Sequence, residues 1–385
     1  MSWENIRFGD LYSETSRNGL TKPSKVRGSG YKMINMGELF ANDRIFDIPM
    51  ELVPLTDSEK KNAKVEKWDL LFARQSLVLE GAGKCCIIMD VSPLTVFESH
   101  IIRVRLNKSK ANPLFYYYFF KSPLSPISSI VSQCAQAGIR GSDLQELRTV
   151  YPPLDIQNRI AEILTRYDEL IENNQKQIKL LEEAAQRLYK EWFVDLRFPG
   201  HEDVKIVNGV PEGWKIDYVG NLIDKVPRTT EIMTANYSSR GSIPIIDQSR
   251  NFIAGYTDDE TAVVNLGKPV IVFGDHTRIL KYIQFPFAKG ADGAQLIVSA
   301  DENLPQVLLY CSLINVDLSN YHYARHFKYL KAEKILVPSR EVANKFYDLA
   351  SRLFANIQLL RDIIRLSIEA RDRLLPKLMS GEIEV

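Results

Sequence analysis

The sequence predicts an α+β protein built of two similar globular modules, each followed by one long helix. Three observations predict this fold class. The second half of the chain repeats the first, each half closes with a long amphipathic stretch, and short β-rich runs alternate with Gly, Pro and Asp in between. A repeat of this length indicates two similar tasks, because solenoid proteins repeat with much shorter periods.

The repeat consists of identical residues that recur at a constant offset, which falls from 211 to 192 and then to 186 along the chain. Only deletions therefore separate the halves. We expect a first module at 1–153, a helical segment at 154–198, a second module at 199–338 and a second helical segment at 339–385. The matching pairs are Trp3 and Trp214, Gly9 and Gly220, Leu11 and Leu222, Gly30 and Gly241, Ile34 and Ile245, Pro113 and Pro305, Tyr118 and Tyr310, Pro152 and Pro338, Asn158 and Asn344, and Leu188 and Leu374.

The modules are expected to mix short strands and helices. A helix should begin at Pro113 and run to Phe120, with a counterpart from Pro305, because proline suits the first turn of a helix. The aromatic run at 115–120 has two interpretations, stacking on bases or packing in the core. Aliphatic residues at the matching positions 307–309 favour the core. Strands are predicted at 70–73, 86–89, 100–106, 269–273 and 295–298.

The first long helix is predicted over 155–192, where proline is absent and apolar residues recur at heptad spacing. At 1.5 Å per residue it would extend about 57 Å. The second should begin after Ser339, a suitable N-cap, and end at Leu375 before Pro376. Its apolar stripe is Phe346, Leu349, Leu353, Ile357, Leu360, Ile364 and Leu374.

Neither stripe is stable in water, so the two helices are predicted to pack as an antiparallel coiled coil with a pseudo-two-fold axis. Asn174 would then lie opposite Ser367 in a polar layer that fixes the register. Two unrelated polar residues tolerated at the surface are the alternative. The residues expected to pack between the helices are Ile160, Tyr167, Asn174, Leu181 and Leu188 in the first and Phe346, Leu353, Leu360, Ser367 and Leu374 in the second.

Composition is that of an ordinary globular protein. With 385 residues, 45% of them hydrophobic, the chain can bury more than one core. No stretch has the roughly 18 apolar residues of a membrane span, and the N-terminus lacks the pattern of a signal peptide, so we expect a cytoplasmic protein. The four cysteines, Cys85, Cys86, Cys134 and Cys311, contain no Cys-x-x-Cys pair and are expected to be reduced core residues.

The formal net charge is only +1. A protein that binds nucleic acid alone is usually more basic, because its cations release counterions from the phosphates. Either no nucleic acid is bound or a partner contributes to binding. Two basic windows keep the second interpretation open, and a solvated loop is the alternative for each. They comprise Arg17, Lys22, Lys25, Arg27 and Lys32, and Arg103, Arg105, Lys108 and Lys110.

No pattern indicates catalysis or a metal site. The run Gly81-Ala-Gly83-Lys84 lacks the remaining residues of a phosphate-binding loop. His322 and His326 have the spacing of a metal pair on a helix, but no nearby acid completes a known site, so a structural role is favoured. The dipeptide Asp275-His276 has no recognisable nucleophile. The motifs of adenine methyltransferases are absent from the sequence, which is more typical of a reader than of an enzyme.

Two segments resemble the specificity subunits of Type I restriction-modification systems. One is Pro152-Pro-Leu-Asp-Ile-Gln-Asn-Arg-Ile-Ala-Glu-Ile-Leu, continuing to Arg187-Leu-Tyr-Lys-Glu-Trp-Phe-Val-Asp-Leu-Arg-Phe. The other is Leu374-Leu-Pro-Lys-Leu-Met-Ser-Gly-Glu-Ile-Glu-Val at the C-terminus. With the repeat, the resemblance covers essentially the whole chain. The second junction departs from the pattern, since Pro338-Ser-Arg-Glu-Val replaces the usual Pro-Pro-Leu and Gln.

The resemblance implies that each module is a target recognition domain that reads one half of a bipartite site in double-stranded DNA. The paired helices would act as the spacer and dock the partners. Because the modules have diverged, the site should be asymmetric. Two modification subunits would bind S-adenosylmethionine and methylate adenines, and restriction subunits, where present, would use ATP and Mg. This chain would bind no cofactor.

The residues that read bases are expected among Arg and Lys of the module loops, since a bidentate Arg on guanine is the commonest specific contact. Each could equally contact a phosphate or nothing. The candidates are Lys22, Lys25, Arg27 and Arg74 in the first module and Arg228, Arg240, Arg250 and Arg278 in the second. Two other functions stay open: a protein-only adaptor that joins two partners through the helices, and a metal-dependent nuclease with an unrecognised site.

Overall fold

The computed structural model describes residues 3–133, 137–291, 293–321 and 325–385. It divides into two compact units. The first unit is Met1–Glu172 with Ile364–Val385, and the second is Asn173–Ile363. Each unit contains one of the repeated modules and a part of each long helix.

The first module mixes short strands with short helices. Asn112 caps the helix α3 (Pro113–Lys121) because its side chain accepts hydrogen bonds from the backbone of Leu114 and Phe115, and Pro113 occupies the first turn. Its elements are β1 (Glu4–Arg7), β2 (Tyr12–Asn18), β3 (Tyr31–Ile34), α1 (Met36–Ala41), β4 (Arg44–Ile45), β5 (Glu51–Val53), α2 (Asp57–Asn62), β6 (Leu70–Ala73), β7 (Gln75–Ser76), β8 (Cys85–Ile88), β9 (Val96–Phe97), β10 (Ile101–Leu106), α3 (Pro113–Lys121), β11 (Ser132–Gln133), β12 (Ala137–Gly138), α4 (Gly141–Glu146) and β13 (Arg148–Tyr151).

The second module follows the same plan with fewer residues. A short π-helical turn, Lys190–Val194, follows the first long helix and precedes the second module. Its elements are β14 (Ile206–Val207), β15 (Val210–Pro211), β16 (Lys215–Tyr218), β17 (Ile223–Asp224), β18 (Ile243–Ile246), β19 (Gly255–Thr257), β20 (Val263–Val264), β21 (Val270–Gly274), β22 (Leu280–Ile283), β23 (Phe287–Lys289), β24 (Ala294–Ser299), α6 (Gln306–Ile314), α7 (Phe327–Ala332) and β25 (Lys334–Val337). The long helices are α5 (Leu154–Tyr189) and α8 (Arg340–Ser380).

The main sheets of the two modules share the order of four strands, and the first module adds β4 at one edge. The main sheet of the first has the strand order β2-β10-β6-β8-β4, and that of the second has β17-β24-β21-β22. A smaller sheet follows in each, where β3 pairs antiparallel with β5 and parallel with β9, as β18 does with β19 and β23. In each module the strand that starts the repeat pairs with the strand that precedes a long helix. The repeat found in the sequence is therefore a repeat of structure.

Each module has its own core. In the first, the whole aromatic run of α3 is buried against the main sheet, which confirms that these rings pack in the core. In the second, α6 packs aliphatic residues in the same place. Cys85, Cys86 and Cys311 are free and buried, and burial raises the pKa of the Cys86 and Cys311 thiols to about 12. Cys134 lies outside the described residues.

The long helices run antiparallel within each unit. In the first unit, Arg371 bonds Asp168, and Leu378 joins a core cluster with Ile160 from earlier in α5. In the second unit, too, later residues of α5 contact earlier residues of α8. Arg361 contacts Glu182, while Phe346 contacts Tyr189 at the end of α5 and Trp192 in the π-helical turn that follows it.

The predicted end of the second helix at Leu375 is wrong. The helix continues through Pro376 to Ser380. A proline inside a helix costs about 3 kcal/mol because it lacks an N–H and its ring meets the carbonyl four residues back. Leu378 and Met379 in the added turn are each 1% exposed, and each such burial is worth about 1.5–3 kcal/mol. Packing therefore offsets the proline.

Candidate nucleic-acid interface

Three candidate cations of the first module lie between β2 and β3, and two of them are already paired. Lys22 Nζ lies 2.8 Å from Glu59 Oε1, and its side chain is 12% exposed. Arg27 lies 2.6 Å from Glu51 Oε2 and donates from Nε to the carbonyl of Lys22. These pairs hold the loop closed on the module. Lys25 alone is exposed there.

Arg74, the fourth candidate, follows β6 and is half-buried. Its guanidinium donates to the Ser99 carbonyl at 3.4 Å, and its backbone N–H donates to His100. The loop that it begins ends in an apolar tip, with Leu77 and Val78 largely exposed. Arg74 therefore anchors the base of a projecting loop.

The four candidates of the second module are all exposed. Arg240 and Arg250 lie in the loops before and after β18. Arg278 occupies the turn between β21 and β22 with φ of 61°, and it donates to the Tyr321 carbonyl at 3.0 Å. Arg228 lies in the segment that leaves β17. The candidate cations of the second module are thus exposed, whereas three of the four in the first module are paired or half-buried.

Around Arg228 the structure brings together cations that the sequence analysis missed. They line an open cleft of about 730 Å³. Lys225 and Lys331 face it, together with Lys289, whose Nζ lies 2.5 Å from Glu231 Oε1. Only Lys225 and Arg228, three residues apart in the sequence, gave a local signal. Lys289 and Lys331 arrive from β23 and α7, which no local pattern could place.

The basic window at 103–110 is divided, because Arg103 and Arg105 are internal whereas Lys108 and Lys110 are exposed. Arg105 forms a bidentate pair with Asp69, with both distances 2.7 Å, and Arg103 bonds Glu14 at 3.0 Å. Burial raises the pKa of Asp69, although Arg105 opposes the shift. Arg105 and Arg103 lie on β10, in the middle of the main sheet. These two arginines stabilise the sheet and are not available to a ligand.

The candidates for helix packing are placed as follows. Ile160, Asn174, Phe346 and Ser367 are buried, and the other six are half-buried. Leu374 packs on the core of the first unit, and Leu181, Leu188 and Leu353 pack on that of the second. Asn174 belongs to the second unit and Ser367 to the first, so their pairing stays a prediction. The half-buried residues are Tyr167, Leu181, Leu188, Leu353, Leu360 and Leu374.

A buried ionic cluster joins the first module to the helices of its unit. Asp168 of α5 accepts a hydrogen bond from Tyr118 of α3 at 2.7 Å and one from Arg371 of α8 at 2.6 Å. Arg44 of β4 lies 3.8 Å from Asp168 and 3.4 Å from Glu172. Burial opposes the charge on Arg371, yet the pair with Asp168 raises its pKa.

The second unit fills the equivalent place with rings. Phe354 is the counterpart of the aspartate at offset 186, and Tyr310 is the counterpart of the tyrosine at offset 192. Their ring centroids lie 5.4 Å apart, and Tyr282 lies 5.0 Å from Phe354. Ala185 replaces the arginine and is fully buried. The same junction is ionic in one unit and aromatic in the other.

His322 and His326 are the candidate metal pair. His326 contacts the backbone carbonyls of Asp275 and Tyr321 through its ring, which is a structural role. His322 lies outside the described residues. Within the described ranges, no group of three or more His, Cys, Asp or Glu could hold a metal ion. None of the helices described is long and apolar enough to cross a membrane.

Known proteins resemble the chain in sequence and in fold. A family model for the Type I restriction modification DNA specificity domain matches residues 2–183. The Type I restriction enzyme MjaIX specificity subunit of Methanocaldococcus jannaschii is 26% identical over 301 residues, which are 70% of this chain and 69% of that protein. The EcoKI specificity subunit of Escherichia coli is 26% identical over 172 residues, 44% of this chain and 36% of that protein.

One solved structure is similar along nearly the whole chain. It is the crystal structure of the Type-I restriction-modification system S subunit from M. genitalium, with a TM-score of 0.58 and 15% identity. The likeness covers 98% of this chain and 96% of that one. Because the sequence identity is only 15%, this likeness shows a common fold and nothing about function.

Proposed function

Because the chain belongs to the family of Type I restriction-modification specificity subunits, we propose that each module reads one half of an asymmetric, bipartite site in double-stranded DNA. One observation supports this proposal above the others. The two modules share a strand order but differ in the side chains that their loops present. A common scaffold with different reading surfaces is what two unlike half-sites require.

The difference between the surfaces lies mainly in their charge. Acidic neighbours neutralise Lys22 and Arg27 in the first module. Arg240 and Arg250 of the second are exposed on loops that flank one strand. Guanidinium groups free of acidic partners can donate two hydrogen bonds to guanine in the major groove. We therefore assign the better candidates for base reading to the second module.

The paired helices are proposed to set the spacer between the half-sites. Major-groove positions recur about every 34 Å along DNA, so a change of helix length would change which spacer fits. Asp168 and its partners fix where the first module attaches to its helix segments. The length of the helices can set the spacer between the half-sites only if the module is attached to them rigidly.

We propose that two modification subunits dock on the helices, which would explain a net charge of only +1 in a DNA reader. A duplicated surface patch supports two equivalent partners. Leu180 is 63% exposed, and Leu366, its counterpart at offset 186, is 53% exposed. A Glu follows three residues later in each helix and an Arg four residues after that.

The two patches match in detail. Arg187 pairs with Glu183 at 3.8 Å, as Arg373 pairs with Glu369 at 2.5 Å. Ala184 and Ala370 complete the two sets. Two other exposed leucines of the helices, Leu170 and Leu359, lack this property, since their counterparts are asparagines. One surface present twice is what two copies of one partner would recognise.

In this proposal the partner subunits catalyse the reactions. The modification subunits would bind S-adenosylmethionine and methylate adenine, and a restriction subunit, where one takes part, would use ATP and Mg. This chain would be a non-catalytic subunit acting in the cytoplasm, where cellular DNA is accessible. It would contribute the choice of sequence.

The test is co-expression with the cognate modification subunit in a host that lacks other adenine methylation. N6-methyladenine is then mapped across the host DNA by single-molecule sequencing. We expect methylation at one split motif. Exchange of residues 1–153 for the first module of another specificity subunit should change one half of the motif and leave the other half intact.

The alternatives predict other results. A protein-only adaptor would form a stable complex with the modification subunit without any methylated motif and without salt-sensitive DNA binding. A nuclease would give metal-dependent cleavage by the isolated chain. A module exchange that left both half-sites unchanged would contradict the assignment of one half-site to each module.

A further inference from the structure

The cleft around Arg228 is formed by three parts of the second module. The segment at 224–231 lines the cleft together with Gln295 and Leu296 of β24. Lys289 of β23 and Lys331 of α7 line it as well. Its volume of about 730 Å³ is open to solvent and has mixed polar and apolar walls.

The cleft has an excess of positive charge. Lys289 is compensated by Glu231 at 2.5 Å. Lys331 Nζ lies 5.1 Å above the ring of Phe327, which orients it without neutralising it. Lys225 and Arg228 are exposed, and within the part of the chain that the structure describes neither has an ion-pair partner. Three cations therefore face the cleft, against Asp224 alone.

A shortened strand opens this cleft. In the second module β17 pairs with β24 through two residues only, Ile223 and Asp224. In the first module β2 is seven residues long and covers β10 as far as Asn18. The rest of the edge of β24 is therefore uncovered, and the segment from Lys225 onward diverges from it.

The first module lacks the same arrangement of charge. At offset 211 the counterpart of Lys225 is Glu14, which pairs with Arg103 and Arg105. The counterpart of Arg228 is Arg17, which donates to Asn62 at 3.2 Å. The equivalent edge is thus filled by internal pairs. A ligand-binding role is specific to the second module.

We propose that the cleft binds phosphate groups of the DNA backbone through Lys225, Arg228 and Lys331. The inference rests on the proposed function, because that function supplies DNA as the ligand. Backbone phosphates are single anionic groups that flexible cations satisfy from several directions, whereas base edges require donors fixed in one plane. Lys225 and Arg228 are exposed, and Thr229 beside them adds a hydroxyl donor. Arg228 is thereby assigned to affinity instead of base choice.

The experiment uses the full chain in complex with its modification subunits. Equilibrium binding to a duplex with the cognate motif and to a scrambled duplex is measured between about 50 and 200 mM salt, the range over which phosphate contacts weaken strongly. The variant is Lys225→Gln with Arg228→Gln. The matched control is Lys205→Gln with Lys268→Gln, which removes two exposed cations of the same unit outside the cleft.

We expect the cleft variant to bind both duplexes about 10-fold or more weakly and to lower the salt slope by roughly 2, since each phosphate contact contributes about 0.9 to it. The methylated motif should stay the same. Arg228→Lys should retain the slope, because it keeps the charge.

Three results would overturn the inference. One is an unchanged salt slope in the cleft variant. Another is an equal loss in the control, which would show an effect of net charge alone. The third is a changed motif with Arg228→Lys, which would make Arg228 a reader of bases. A wild-type complex that methylates no motif would instead contradict the proposed function itself.

Discussion

Asp168 is the residue on which the buried charge of the first unit converges. It is 6% exposed and contacts a tyrosine and two arginines from three different elements. A buried ion pair gains little over a well-packed apolar contact, but loss of one member leaves the others charged and desolvated. Removal of Asp168 should therefore cost more than the net energy that its ion pairs contribute.

We expect Asp168→Ala to lower the free energy of unfolding of the chain by about 3–5 kcal/mol, because Arg371 and Arg44 lose their buried partner. Chemical denaturation followed by fluorescence measures the change. Glu169→Ala is the control, an exposed acid on the same helix that should change stability by no more than about 0.5 kcal/mol. Similar losses in both variants would contradict a special role for Asp168.

Asp43 provides a test through pH. Burial alone would raise its pKa, but ion pairs with Lys121 at 2.6 Å and Lys84 at 3.2 Å outweigh burial and hold the pKa below its ordinary value of 3.8. A carboxyl with a depressed pKa stabilises the fold above its unfolded pKa, and that contribution is lost as pH falls through the folded value. Stability of the wild type should therefore fall on acidification below about pH 4.

Asp43→Asn should remove that part of the pH dependence. At neutral pH the variant should be less stable than the wild type, and the two should converge as the pH falls below 4, the region of the aspartate pKa. Urea unfolding at a series of pH values gives both curves. Parallel curves over the whole range would mean that the ion pairs do not stabilise the fold.

Elements were predicted well wherever a local pattern specifies them. The strand at 70–73 follows from a short apolar run and the start of α3 from Pro113, and both are found there. The buried face of α8 was harder to predict from the sequence. Leu349 was expected to face inward but is exposed, while Ala350 is fully buried. Leucine is more hydrophobic, so only knowledge of the opposing surface identifies the alanine as the closer contact.

The candidate site was harder to predict than the elements because charge in a sequence does not reveal pairing. Lys22 and Arg27 were expected to contact DNA, but the fold pairs them with Glu59 and Glu51. Lys289 and Lys331 lie far apart in sequence and line the same cleft only because the fold brings β23 and α7 to it. Long-range contacts of this kind leave no local signal.

Pro376 permits a test of helix packing in the first unit. We expect Pro376→Ala to raise the free energy of unfolding by roughly 1–3 kcal/mol, because alanine restores the missing N–H and removes the clash within α8. Denaturant midpoints of the two proteins measure the gain. A loss of stability would instead indicate that the proline fixes the last turn, in which Leu378 and Met379 pack.

On the scale of the whole molecule, duplication followed by divergence explains how the chain divides its work. The order of four main-sheet strands and the exposed patches on the helices are the same in both halves. The loops and the junctions with the helices differ. Features proposed to meet a partner present twice are alike, whereas features proposed to meet two unlike half-sites have diverged.

The two patches predict the stoichiometry of assembly. Leu180→Asp should leave a complex with one modification subunit, Leu366→Asp should do the same, and the double variant should bind none. A charge placed in the centre of an apolar contact costs several kcal/mol, enough to abolish one docking event without affecting the other. Native mass spectrometry of the co-expressed complex counts the subunits directly.

Leu359→Asp is the matched control for this prediction. Leu359 is 58% exposed on the same helix as Leu366, but its counterpart at offset 186 is Asn173, so it is not part of a duplicated surface. Two modification subunits should remain bound to this variant. Loss of both subunits from a single patch variant would mean that the two docking events are coupled. Retention of both in the double variant would mean that the partners dock elsewhere, and the repeated patch would then have no role in assembly.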